Sequence, residues 1–109
     1  MKLIKAFIRT FMAEKVIEEL KKIKARDITV VDVKALGDEV SHEGLEISAE
    51  LGSTYTTMVK IEFVCRDEYV SKTKDAIMKA AKTGYKGDGI IAISPVEEAV
   101  SIRTREKLI

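Results

Sequence analysis

The residues best suited to chemistry lie at positions 83–91, TGYKGDGII, where Gly84, Gly87 and Gly89 fall within six positions beside Lys86 and Asp88. A tight turn needs one glycine or two. A third implies that something comes close to the main chain there. Successive backbone N–H groups unobstructed by a Cβ form a concavity that holds anions. Lys86 adds charge, and Arg103 in SIRT carries the planar fork that matches a phosphate. The chemistry on offer is phosphate binding. The competing reading is a plain turn, with Asp88 as the side chain that stabilises it, and spacing alone leaves both open.

Other candidates are weaker. His42, the only histidine, has Glu39, Glu43 and Glu46 nearby, a partial metal set. With no second histidine it reads as a solvated side chain rather than a ligand. No Ser/His/Asp or Cys/His combination is visible, so the chain is not expected to be an enzyme. Acylphosphatase-type chemistry would need a glycine-rich cradle beside the first helix, and RTFMAEK has no glycine. An RNA-binding sheet would show exposed aromatics, whereas Phe7 and Phe63 alternate with aliphatic residues and are expected to be buried.

The elements that position the glycine stretch follow from periodicity. Residues 2–9 read as a strand. In AEKVIEELKKIK, Val16, Leu20 and Ile23 share one face at helical spacing. ITVVDVKAL, residues 28–36, is β-branched and strand-like, and MVKIEFVC, residues 58–65, alternates Val59, Ile61, Phe63 and Cys65 with Lys60 and Glu62. Between these strands about 20 residues show no clear period, a length that in a compact domain marks a functional or disordered loop. Asp67 reads as an N-cap for a second helix with Val70, Thr73, Ile77 and Ala80 on one face, stopping near Gly84. IIAIS is a short last strand, and VEEAVSIRTREKLI offers a helical turn and a basic tail. The order β-α-β-loop-β-α-β predicts an α+β ferredoxin-like sandwich, with a four-stranded antiparallel sheet and both helices on one face.

The chain of 109 residues fits one domain spanning 1–109. Lysine and arginine number 19 against 18 acidic residues, so the net charge of +1 gives no basis for nucleic-acid or membrane attraction. The lone Cys65 lies in an apolar run and is expected to be a buried, inert thiol in a reducing compartment. With no apolar run near a membrane span's length and no signal-peptide pattern, the expected location is the cytoplasm.

At this point the residues carry a family resemblance. TGYKGDGIIAI followed by SIRT resembles the nucleotide-binding loop and C-terminal arginine segment of the PII signal-transduction proteins. MKLIKAFIR is similar to that family's first strand, ITVVDVKALG to its second and VKIEFV to its third, so the likeness covers nearly the whole chain. The long loop, about residues 37–57, falls at the family's T-loop, the finger that enters partner proteins. The resemblance implies a cytoplasmic homotrimer whose inter-subunit clefts bind ATP, ADP or AMP and set the T-loop's conformation. It implies that Thr29 and the Val64 backbone face the adenine, Glu62 the ribose, and Gly37 and Asp38 the base of the T-loop. Gly87, Asp88 and Gly89 would cradle phosphates, with Arg103 arriving from a neighbouring chain. Val40, Leu45, Ile47 and Leu51 are the loop's apolar residues for a partner, a transporter or a metabolic enzyme.

The chain departs from the family pattern in places. Asp38 and Glu39 stand where an arginine and a glutamine are usual, Ile90 and Ser101 where a lysine and an arginine are usual. Two cations are lost around the phosphates, which implies that ADP or AMP binds at least as well as ATP. Met58 replaces a lysine of the 2-oxoglutarate site, so neither magnesium nor 2-oxoglutarate is expected to matter. Leu51 replaces the tyrosine that many members uridylylate.

Overall fold

The computed structural model describes residues 1–37, 46–48 and 53–108. Its elements are β1 (Lys2–Arg9), α1 (Ala13–Lys22), β2 (Thr29–Ala35), β3 (Glu46–Ser48), β4 (Ser53–Cys65), α2 (Val70–Ala81) and β5 (Gly89–Pro95). One-turn 3-10 segments, Thr10–Met12 and Asp67–Tyr69, lead into the two helices. The sheet order is β2-β4-β1-β5, all antiparallel, with β3 paired to β4 outside that path. Both long helices cover the same face. This is the expected ferredoxin-like sandwich.

The core follows from the period-2 pattern of two central strands. Ile4, Ala6 and Ile8 of β1 sit in register with Phe63, Ile61 and Val59 of β4, and all six are buried against the helices. From α1 come Val16 and Leu20; from α2 come Thr73, Ile77, Ala80 and Ala81. Complete burial of each large aliphatic side chain is worth roughly 1.5–3 kcal/mol, so these two stripes fix which way each helix faces. Glu14 in the first turn of α1 and Lys21 and Lys22 in its last complement the helix dipole.

The end of α1 uses an unusual residue. The N–H of Ala25 donates to Leu20 O at 3.0 Å and that of Lys24 to Lys21 O at 3.0 Å, the paired bonds of a Schellman motif. Lys24 takes φ of 63°, a position that favours glycine. Lys24→Gly is expected to raise stability by about 0.5–1 kcal/mol, read as a higher urea midpoint. An unchanged or lower midpoint would show that this left-handed residue carries no strain.

Several local expectations are corrected. Residues read as irregular loop form β3 and the first part of β4, which starts at Ser53 rather than Met58, with Glu46 opposite Tyr55. Asp67 makes no capping bond. Its carboxylate instead pairs with the Met1 ammonium at 3.0 Å, and that ion pair lowers its pKa. Ile23 follows α1 as its C-cap instead of completing the helix. The tail makes its single turn, the Arg105 N–H donating to Ser101 O at 2.8 Å, inside an unforeseen β-bridge, Val100 with Lys107, closed by Leu108 N–H donating to Ala99 O at 2.7 Å.

Among the described residues no helix covers the other sheet face. By register it holds Phe7, Val31, Val33, Met58, Lys60, Glu62 and Ile90. Phe7 is therefore half-buried on the open face, not in the core with Phe63. Cys65 is likewise only half-buried, and that burial pushes its thiol pKa up, which keeps it unreactive at neutral pH.

Candidate functional site

The glycine turn links the end of α2 to β5, and each of its glycines has positive φ: 89° at Gly84, 97° at Gly87 and 110° at Gly89. At Gly89 there is a second demand. A Cβ there would overlap the Phe7 carbonyl oxygen and lie 2.9 Å from its carbon. What comes close to this main chain, within one chain, is the backbone of β1.

Asp88 is the hub of the turn. Its carboxylate accepts the Thr83 N–H at 2.8 Å, the Gly84 N–H at 3.1 Å, the Thr83 hydroxyl and the Arg9 Nε–H at 3.1 Å. Arg9 also donates through Nη2 to the Lys86 carbonyl at 2.9 Å. Partial burial works to raise the Asp88 pKa, but the hydrogen bonds from Thr83, Arg9 and Gly84 outweigh it and bring it to about 2. A carboxylate so engaged stabilises the turn, as its position between glycines allowed. Phosphate contacts would have to come from the backbone around it.

The remaining candidates lie elsewhere on the sheet. Thr29 opens β2 directly opposite Glu62 of β4, which in turn faces Lys5 of β1. Glu62 accepts an ion pair from Lys60 at 3.3 Å. Val64 pairs with Leu3 nearer the other end of the sheet. Gly37, with φ of 125° and open space where a Cβ would stand, follows β2 at the same end of the sheet as the glycine turn. The sheet order nonetheless keeps them apart: β2 and β5 are opposite edges, separated by β4 and β1, about 14 Å at the usual strand spacing.

Arg103 is exposed in the tail. β5 carries the chain away from the glycine turn to the other end of the sheet, where the Val96 N–H donates to Met1 O at 3.2 Å. Among the described residues no hydrogen bond or ion pair joins Arg103 to the turn. One chain thus holds three separate parts: a β2–β4 patch, a glycine turn and an arginine.

At the departures, Met58 is wholly buried opposite Arg9 and Val33, leaving no room for a charged head. Ile90 is exposed on the open face. Asp38, Glu39, Val40, His42, Glu43, Leu45 and Leu51 lie outside the described residues, and Ile47 falls on β3 opposite Thr54. At the root of that hairpin the Lys34 ammonium sits 5.0 Å from the centre of the Tyr55 ring.

Sequence reading missed Arg9 and Thr83. Arg9 is 79 residues from Asp88 and sits in a strand where a lone cation reads as solvated. Its only signal was position: it ends β1 as a charged residue after an apolar alternation, and it is buried.

Element order, sheet order and helix placement define a ferredoxin-like domain with a β3–β4 hairpin at the same end of the sheet as a glycine turn. The family described as Nitrogen regulatory protein P-II matches residues 1–106. The nitrogen regulatory protein P-II of Azospirillum brasilense is 42% identical over 107 residues, covering 98% of this chain and 96% of its own length. That of Bradyrhizobium diazoefficiens is 42% identical over 106 residues, covering 97% and 95%, and that of Pasteurella multocida 37% identical over 107 residues, covering 98% and 96%. The chain belongs to the P-II family of nitrogen regulatory proteins. It is accordingly a signal-transduction regulator and not an enzyme. Among the described residues, no helix is long and apolar enough to cross a membrane.

Proposed function

We propose that the chain acts in the cytoplasm as a homotrimer that senses adenine nucleotides in clefts between subunits and reports them to a partner through residues 37–57. The observation that carries this reading is the sheet order. Thr29, Glu62, Val64 and Gly37 lie on or beside β2 and β4, while Gly87–Gly89 lie at the β5 edge. A nucleotide that used both sets would have to lie between two copies, with base and ribose on one and phosphates on the other. The helix-free face, with Val31 and Ile90 exposed, supplies apolar surface for such an assembly. Arg103 would close the cleft from a neighbour.

In this reading the turn binds phosphate oxygens through backbone N–H groups, and Arg103 adds a charge-assisted fork. Asp88 acts indirectly by holding the turn, together with Arg9. Isoleucine at 90 and serine at 101 leave fewer cations for a γ-phosphate, so ADP or AMP matches ATP. Buried Met58 supports the absence of a 2-oxoglutarate site. The hairpin of β3 and β4 is the output element: a ligand reports itself only by binding two conformations unequally, and Gly37 is the hinge beside the cleft. The regulated protein is a transporter or an enzyme of nitrogen metabolism, with Val40, Leu45, Ile47 and Leu51 available to meet it, while Asp38 belongs with Gly37 to the nucleotide site.

A second reading has its own support. The turn's glycines are accounted for by positive φ and by the Phe7 carbonyl, so the turn needs no ligand to explain it. That describes a P-II relative without nucleotide sensing. Calorimetry with ATP, ADP and AMP, each with and without magnesium and 2-oxoglutarate, separates the two. The expected result is binding of three nucleotides per trimer, with ADP or AMP at least as tight as ATP and no effect of 2-oxoglutarate. Tenfold tightening of ATP by 2-oxoglutarate, about 1.4 kcal/mol of coupling, would overturn the reading of Met58. No heat with any nucleotide, or a monomer by light scattering, would leave the second reading.

A further inference from the structure

A cavity of about 370 Å³ opens between α2 and β5, behind the glycine turn. Ile8, Ile77, Ala81 and Ile91 line its interior, Met78 its lip, Phe7 and Ile90 its β5 rim, and Lys74 of α2 and Lys82, the residue that caps α2, flank it. We propose that this groove binds a small carboxylate with an apolar body, the body inserted between α2 and β5 and the charge set between Lys74 and Lys82.

The size is at the low end for small-molecule sites, and the lining has their usual makeup, apolar walls with a few polar groups. Lys74 and Met78 are four residues apart on one face of α2, and Lys82 follows at its C-cap, where it also lines the groove. Met78 is 54% exposed, an adaptable thioether at the entrance. Both lysines are exposed, and among the described residues neither forms an ion pair. Their aliphatic stems follow the groove while the ammonium groups stay in water, which selects an anion at the mouth and an apolar body within. The one acid in the lining, Asp88, does not oppose this. Its charge is matched by Arg9 and its oxygens are taken by Thr83 and Gly84. Asp88 and Gly89 form the wall toward the glycine turn, so the occupant would sit against it. The groove's floor is on the helix side of β5, and its lining reaches round that edge strand to Phe7 and Ile90, which border the surface invoked above for assembly.

Octanoate is the probe, with octylammonium as the control of opposite charge. Carbon-proton NMR titration of the full chain is expected to give saturable octanoate shifts centred on the methyl groups of Met78, Ile77 and Ile91, with none from octylammonium. Lys74→Glu with Lys82→Glu changes only exposed side chains, and thermal melting verifies that it folds. That variant is expected to weaken octanoate about tenfold or more and to gain octylammonium binding. Absence of saturable octanoate shifts, shifts centred on the opposite sheet face, or octanoate affinity unchanged by the charge reversal would each overturn the site. None of these readouts involves a nucleotide, so the result stands apart from the reading of the clefts.

Discussion

Gly89→Ala is expected to cost about 4 kcal/mol or more, whereas Gly84→Ala costs about 1. Both positions have positive φ, which any Cβ resists. The difference is what the new methyl group meets. At Gly84 nothing lies within 4 Å. At Gly89 the group would overlap the Phe7 carbonyl oxygen, and backbone cannot swing aside as a flexible side chain can. Relief requires β5 to move off β1 at the Ile8–Gly89 pair, where the edge strand begins. With an m-value of about 2 kcal/mol/M, the urea midpoint should fall by on the order of 2 M for Gly89→Ala and about 0.5 M for Gly84→Ala. Equal, small shifts would mean that the close approach of β1 and β5 is not what selects glycine at 89.

The second large effect is expected at Asp88. Its pKa is lowered on folding, from 3.8 to about 2. It therefore stabilises the folded state at every pH above about 4, and that contribution is lost as the pH falls toward 2. With the side chain 24% exposed, the contribution is on the order of 1–2 kcal/mol after allowing for solvent screening. Asp88→Asn removes the charge while keeping the shape. It also leaves Arg9, 4% exposed, beside a neutral amide, and the total expected loss at neutral pH is about 2–3 kcal/mol. Urea midpoints of the two proteins should converge as the pH is lowered from 5 to 2. Parallel curves would show that the Asp88 charge is not engaged in the fold.

The broad fold was legible because burial writes itself into period. Val16 and Leu20 are one helical turn apart, Val59, Ile61 and Phe63 two residues apart, and those spacings assign each to a face. What escaped depended on partners distant in sequence. The Arg9–Asp88 pair joins residues 79 apart, and no local pattern announces it. The Asp67 carboxylate looked like a cap because acids before helices usually are, yet the Met1 ammonium is a charged donor and wins it. Strand β3 has only three residues and its pairing is set by β4, so propensity had little to act on. The glycine turn shows the limit most plainly. Counting glycines revealed a main chain under close approach, but a count cannot distinguish a ligand from a neighbouring strand, and at Gly89 the neighbour is Phe7.

The length of β4 gives one strand two kinds of stability. Residues 58–62 pair with β1 on one side and β2 on the other, while residues 53–55 pair only with β3. Backbone amides in the first group are shielded from solvent hydrogen unless the whole sheet opens, and those in the second are released when a three-residue hairpin separates. Deuterium uptake should therefore rise by orders of magnitude along a single uninterrupted strand. The same covalent continuity makes β4 a lever: force applied at the hairpin is delivered to the centre of the sheet, beside Thr29 and Glu62.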